Sequence, residues 1–452
     1  METLLGQRTG TGRGGRSPLP PGPRLPAAAQ AVNWTFRPGP FLERCQREHG
    51  DVFTLHLDMG GSPRVLIAEP GAADLLARPS QTSVPDARAS IRPVFGPESV
   101  LMAEGEEHKR RRQEMLPAFR RPRLESYRET IEAAVDRELE TWPLGRPFPL
   151  RPRFQALTLA AIVEVIFARS DARRREQIGE QIDRLLARFG HRGAGFAITL
   201  PGWVRALGSS RLARWREGFD AAVLAEVARR RAGPLDPGDD VLSRLVVAAE
   251  DGRMPLGDAA ICDQVCTLLL AGHETTATAL AWSVEHLTHE PEAFGRLRAE
   301  VAESPAAGER YAQAVAREAL RLNPPLPNTQ RQLTEAASAG GYELPKGTLV
   351  AASAYLIQRR ADLYPEPLAF RPERFLGAAP APEAWWAFGG GSRRCVGAGF
   401  AVFQMGLVLR RLCERTRLEA AADRREPIRK RGILFAPAHG ARVVMTERRP
   451  AR

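Results

Sequence analysis

The chain has 452 residues, 43% hydrophobic and 26% charged, the make-up of a soluble globular protein with room for one large core or two to three ordinary domains. Its formal charge of +12 is almost wholly arginine, since Lys109, Lys346 and Lys430 are the only lysines; beside abundant alanine, glycine and proline this reads as compositional bias and not as a nucleic-acid-binding face. Five scattered cysteines, an odd number, argue against a disulfide framework and for a reducing compartment.

In chain order, the first fifteen residues lack the apolar run of a signal peptide or membrane anchor. RSPLPPGPRLP (16–26) follows as a polyproline-like lead-in. Residues 1–30 are therefore expected to be a flexible Pro/Gly-rich segment, 31–452 a single domain, and the protein soluble and cytoplasmic. DVFTLHL (51–57) and PRVLIA (63–68) predict a small antiparallel strand pair. GEEHKRRRQEMLPAF (105–119) predicts a helix that carries His108 and Arg112 on one face, four residues apart, with Lys109 and Arg110 solvated.

From about 105 to 325 the pattern is mainly helical, and 257–289 reads as one long helix, apolar nearly all round and therefore central. Cys262 and Cys266 lie one turn apart on it with no Cys/His pair to complete a zinc site, so they read as core residues. Its middle, AGHETT (271–276), holds a glycine and two threonines, each costing up to roughly 1 kcal/mol relative to alanine in a helix centre. The threonine hydroxyls can simply bond back to the preceding turn. Alternatively, glycine beside a carboxylate and a hydroxyl can open the helix to small molecules and pass protons.

EALRLNPP (318–325) sets Glu318 and Arg321 three residues apart on a helix. GGYELPKGTLVAASAYL (340–356) predicts turn-linked strands, and 398–415 a final helix. Between them stands FGGGSRRCVGAGF (388–400). No Lys-Ser/Thr follows its glycines, so it is not a Walker phosphate loop, and the apolar face of the next helix does not suit a disordered RNA-binding segment. A cysteine at a helix N-terminus has reason to be a thiolate. On the loop alone, a structural and a functional cysteine stay equally open.

F-x-x-G-x-R-x-C-x-G, filled by Phe388, Gly391, Arg393, Cys395 and Gly397, resembles the haem-binding signature of the cytochrome P-450 family, of the bacterial soluble type. AGHETT resembles that family's oxygen-activation motif, Glu318 and Arg321 its E-x-x-R pair, and His108 and Arg112 its H-x-x-x-R. The resemblance spans roughly residues 20–445. It implies a mainly α fold with small β-sheets, a single large helical domain holding haem between the long helix and the cysteine loop.

The resemblance further implies haem b with Cys395 as axial thiolate, Arg393, His108, Arg112 and Arg331 on the propionates, and Phe388, Gly391, Gly397 and Ala271 around the cofactor. It assigns Thr275 to bound dioxygen, Glu274 to proton delivery, and Glu318, Arg321 and Arg374 (of FRPERF, 370–375) to a buried structural triad. The implied reaction is a monooxygenation that activates O2 and hydroxylates or epoxidises a small lipophilic substrate. Electrons would come from a ferredoxin or flavodoxin-type donor with its reductase, docking near Arg110 and Arg394; nucleic acid is not an implied partner. A peroxygenase, a dehydratase or isomerase, or a sensor is the alternative. Phe95, Phe196, Leu270, Leu326 and Phe435 are expected in the substrate pocket. QRRAD (358–362) departs from the family pattern, with Gln358 for a histidine and Ala361 for a proline, which puts one polar contact near the haem in doubt.

Overall fold

The computed structural model of the chain describes residues 19–57, 63–78, 80–83, 92–189, 202–234, 240–253, 257–377 and 380–450. The helices of ten or more residues among them are α1 (Ala27–Phe36), α2 (Pro38–His49), α3 (Gly105–Met115), α4 (Arg128–Glu140), α5 (Leu150–Ile166), α6 (Ala172–Phe189), α7 (Gly202–Arg231), α8 (Val241–Glu250), α9 (Asp258–His289), α10 (Pro291–Glu303), α11 (Pro305–Leu322) and α12 (Ala398–Arg415). Short strands fill the gaps: β1 (Val52–Leu55), β2 (Arg64–Ile67), β3 (Thr82–Ser83), β4 (Pro147–Pro149), β5 (Asn328–Leu333), β6 (Ala337–Ala339), β7 (Tyr342–Leu344), β8 (Leu349–Ser353), β9 (Thr416–Ala420), β10 (Ile428–Arg431), β11 (Leu434–Pro437) and β12 (Arg442–Arg448). The fold is mainly α with small sheets, as expected.

The largest sheet runs β1-β2-β8-β5-β3, with β2 and β8 parallel and the other pairs antiparallel. The expected pair forms with Val52 opposite Ile67 and Leu55 opposite Arg64. The strands after residue 415 have no counterpart in the sequence reading. The first of them, β9, starts directly after α12 with no Gly or Pro between, so nothing in the local sequence announces the change of period.

The body begins nearer residue 19 than residue 30. The Thr54 N–H donates to the Pro21 carbonyl at 2.9 Å and the Thr54 hydroxyl to the Pro20 carbonyl at 2.6 Å. Gln30 donates to the carbonyls of Pro23 and Leu25 at 3.2 and 2.9 Å. A Cβ on Gly22 would lie 2.0 Å from the Thr54 carbonyl oxygen, so the lead-in approaches β1 only because that residue is glycine. Residues 1–18 lie outside the described residues.

The central helix α9 packs along α5 and α11 within the main core. Its flanks are buried almost throughout, but Leu268, Ala271 and Thr275 keep accessible surface. Spaced by three and four, they form one stripe along the helix. Among the described residues, no helix is long and apolar enough to cross a membrane.

Candidate active site

The cysteine loop is shaped by glycines at positive φ, Gly389 at 68° and Gly391 at 62°, where side chains other than hydrogen are strained. The Cys395 N–H closes it by donating to the Phe388 carbonyl at 2.9 Å. The Phe388 ring stands edge-on to Trp385, with centroids 5.5 Å apart, and Trp385 leans on Phe375 at 5.7 Å. A Cβ on Gly391 would sit 2.5 Å from the Ala77 carbonyl oxygen. Gly391→Ala is therefore expected to destabilise the protein by about 2–3 kcal/mol, from overpacking plus backbone strain, read as a drop in Tm. A melting curve superposing on wild type would show that the loop has another way to fit.

Cys395 is the one exposed cysteine; Cys45, Cys262, Cys266 and Cys413 are buried. Desolvation by the surrounding protein pushes the Cys395 thiol up, against the pull of the Gly397 N–H and of the Arg112 and Arg394 guanidiniums. α12 begins just beyond Gly397, so the sulfur stands at a helix N-terminus as expected. The thiolate becomes stable when a metal takes the place of the proton.

Around the sulfur lies positive charge, from Arg112, Arg393 and Arg394. Burial holds the Arg112 guanidinium below its usual pKa, helped by Arg394 and opposed by Cys395. Burial does the same to Arg393, with Glu104 opposing and Arg112 assisting. Arg393 donates to the Ala103 carbonyl. His108 is buried one turn before Arg112 on α3, and Arg331 is buried in β5. Two desolvated, mutually repelling guanidiniums are a costly arrangement unless an anion joins them. Among the described residues no three His, Cys, Asp or Glu converge on a metal-sized site. A single sulfur beside such arginines suits a metal that brings its own equatorial donors and acidic groups, and iron protoporphyrin IX fits both demands.

The AGHETT stretch is held from behind by one stripe of α5. Ile162 faces Gly272, where an added Cβ would lie 3.4 Å from the isoleucine Cγ1. The Thr158 hydroxyl donates to the His273 carbonyl at 3.1 Å. Gln155 donates to one Glu274 oxygen at 2.7 Å and Arg151 ion-pairs with the other, while also donating to the Thr278 hydroxyl at 3.2 Å. The glycine and the acid thus each have a packing partner. The Thr275 hydroxyl donates to the Ala271 carbonyl at 2.6 Å, bonding back to the preceding turn within a continuous helix. His273 is buried, which lowers its pKa to about 4, so it is neutral at physiological pH.

Glu318 and Arg321 pair through two bonds of 2.7 and 2.8 Å, with neither side chain exposed. Arg321 spends its remaining N–H groups on the carbonyls of Gln358, Pro367 and Ala369. Glu318 also accepts the Arg371 N–H at 2.9 Å and lies 3.4 Å from Arg374. Arg321 further sits 4.9 Å over the Tyr364 ring, whose hydroxyl donates to the Ala384 carbonyl at 3.0 Å. Residues 358–374 are thereby fastened to α11, and Tyr364 ties them to Ala384 beside the Trp385–Phe388 edge of the cysteine loop. Gln358 belongs to the same joint: its amide donates to the Leu320 and Arg321 carbonyls at 3.2 and 2.9 Å, capping the end of α11.

The pocket residues divide. Phe95 is partly exposed against the main core and Leu326 is exposed in the turn after α11. Leu270 is buried in the main core, off the accessible stripe. Phe435 has no accessible surface and packs against Trp34 and Tyr355, centroids 5.4 and 5.8 Å away, so here it is a core residue under α1. Phe196 lies outside the described residues. Of the apolar run before Thr275, Leu268 and not Leu270 lies on the accessible stripe; sequence reasoning missed the Arg151–Gln155–Thr158–Ile162 stripe, which carries no local signal.

A family model described as Cytochrome P450 matches residues 19–443. Two Mycobacterium tuberculosis proteins are among the similar curated sequences. "Putative cytochrome P450 135B1" is 36% identical over 434 residues, covering 94% of this chain and 91% of the relative. "Putative cytochrome P450 137" is 35% identical over 432 residues, covering 94% and 89%. Among solved structures, the retinoic acid-bound cyanobacterial CYP120A1 superposes with a TM-score of 0.78 at 26% identity, over 96% of this chain and 100% of that one. The haem domain of cytochrome P450DA superposes with a TM-score of 0.80 at 22% identity, over 96% and 97%.

Proposed function

The chain belongs to the cytochrome P450 family, whose members are in general haem-thiolate monooxygenases, and from that premise we propose that it hydroxylates or epoxidises a small lipophilic substrate with molecular oxygen. The observation that supports this best is the accessible Cys395 thiol, flanked by two desolvated guanidiniums. Haem b held by a thiolate supplies reductive activation of dioxygen, electron donation from sulfur favouring O–O cleavage.

The rest falls to the chain's own residues. Cys395 would hold the iron; Arg112, Arg393, His108 and Arg331 would hold the propionates. Gly391 and Gly397 let the loop backbone come close, and Phe388 fixes the loop through its carbonyl bond to the Cys395 N–H. The stripe Leu268–Ala271–Thr275 forms the distal wall, with the Thr275 hydroxyl as proton-bearing group and Glu274 as its source. Phe95 and Leu326 add apolar surface for the substrate, and a retinoic acid-bound neighbour supports a lipophilic guest. Arg110 and Arg394, both exposed, suit an acidic ferredoxin or flavodoxin-type donor.

Reduced holoprotein should give a red-shifted Soret band with carbon monoxide, and product should form from NADH, the donor and its reductase. A protein that binds no haem sinks the reading. Proton delivery by Glu274 requires its carboxylate to leave Arg151 and Gln155. Glu274→Gln is expected to lower product formation about 10²-fold, the usual worth of a positioned proton donor, while the carbon monoxide band stays. That tether also supports the second reading, a haem-thiolate peroxygenase, dehydratase or isomerase, or a sensor, in which Glu274 only anchors α5. Unchanged turnover in Glu274→Gln would favour it.

A further inference from the structure

A second buried polar cluster lies on the N-terminal part of α9, away from the residues described above. Asp263 accepts the Glu98 N–H at 2.8 Å and ion-pairs with Arg216 of α7. Gln264 accepts the Val100 N–H at 2.8 Å and donates to the Glu98 carbonyl. The Thr267 and Ser99 hydroxyls bond at 2.7 Å. Arg216 donates to the Val94 carbonyl at 3.1 Å, the Cys266 thiol approaches the same oxygen at 3.4 Å, and Asp220 supports Arg216 at 3.1 Å. The side chains of Arg216 and Asp263 are only 7% and 5% exposed.

Most of these bonds grip backbone, so the cluster reads the path of residues 94–100 and not their side chains. Gly96, at φ 82°, passes directly over the carboxylate, where a Cβ would lie 1.9 Å from Asp263 Oδ1. An ordinary surface turn needs no such device, and burying two charges is unfavourable unless their geometry fixes something. What it fixes is Phe95, between the gripped Val94 and Gly96, with its partly exposed ring against the main core. The grip joins three elements, the 94–100 segment, α7 and α9, and Thr267 adjoins Leu268, where the accessible stripe begins.

We propose that the Arg216–Asp263 pair is a specificity-determining clasp, which positions Phe95 and the 94–100 segment over the pocket and so governs access and release of bulky lipophilic guests. The proposal rests on the haem-thiolate reading and deepens it. It assigns Asp263 and Arg216 as positioning residues, acting through Phe95 without touching the reacting atoms.

The test uses holoprotein and two probes that shift the Soret band, imidazole and a bulky triphenyl-substituted imidazole, with release followed by stopped flow. In Asp263→Ala and in Arg216→Leu, release of the bulky probe should quicken about tenfold while imidazole changes less than about twofold, since affinity changes of this kind appear chiefly in release. The double variant should add little, because both substitutions open the same clasp. If Asp263→Ala does not load haem, Asp263→Asn, which keeps an acceptor for the Glu98 N–H, gives the same comparison. Equal changes for both probes mean general loosening and overturn the proposal, as does no change for either. A wild-type protein that shifts with neither probe overturns the haem reading itself, and the clasp with it.

Discussion

Replacing Cys395 by alanine is expected to abolish the red-shifted Soret band of the reduced, carbon monoxide-treated holoprotein, and all NADH-dependent product with it. No other thiol can take over. Burial pushes Cys45 up to about 11 and Cys262, Cys266 and Cys413 up to about 12. A metal reaching any of them would have to displace packed core. Only Cys395 combines an accessible sulfur with an N–H donor and two guanidiniums that favour its deprotonated form. Cys413→Ala serves as the control and should keep the band, at a modest cost in stability from the lost packing. Retention of the band in Cys395→Ala would remove the proposed ligand outright.

The largest loss of stability should follow from Glu318→Ala. It strands a fully buried guanidinium whose other bonds were arranged around the pair, and breaking a buried pair on one side costs about 3–5 kcal/mol. Set against a typical total of about 5–15 kcal/mol, that is enough to leave much of the chain unfolded or unable to keep haem. Denaturant unfolding and the fraction of haem-loaded protein measure it. Arg374→Ala should cost less, about 1–2 kcal/mol, since Glu318 keeps both of its bonds to Arg321 while Arg374 stands 3.4 Å away and donates to the Glu366 carbonyl. Equal losses in both variants would mean that the three residues share the load, contrary to the geometry.

The residues with strict local requirements were readable in the sequence. The apolar run of α9, the Gly-rich loop before α12 and the E-x-x-R spacing each impose a pattern that few other structures need, and helix 398–415 forms with the expected bounds. Residue roles set by distant neighbours were not. Nothing near Phe435 says that Trp34 and Tyr355 cover it. Gln358 is the middle case. Its departure from the expected histidine was visible, but its work as a cap on α11 needs the fold.

The stripe Arg151, Gln155, Thr158 and Ile162 recurs every three or four residues along α5, and its members meet Gly272, His273, Glu274 and Thr278, with Arg151 and Gln155 sharing Glu274. The six letters AGHETT are thus half of a matched pair, the other half being written in a helix more than a hundred positions upstream. Grafted alone onto another helix, they would bring a glycine with nothing to fill its notch and an acid with nothing to steady it. Heredity of the motif is heredity of an interface, and a change in α5 would be felt at Glu274 before any residue of the motif had changed.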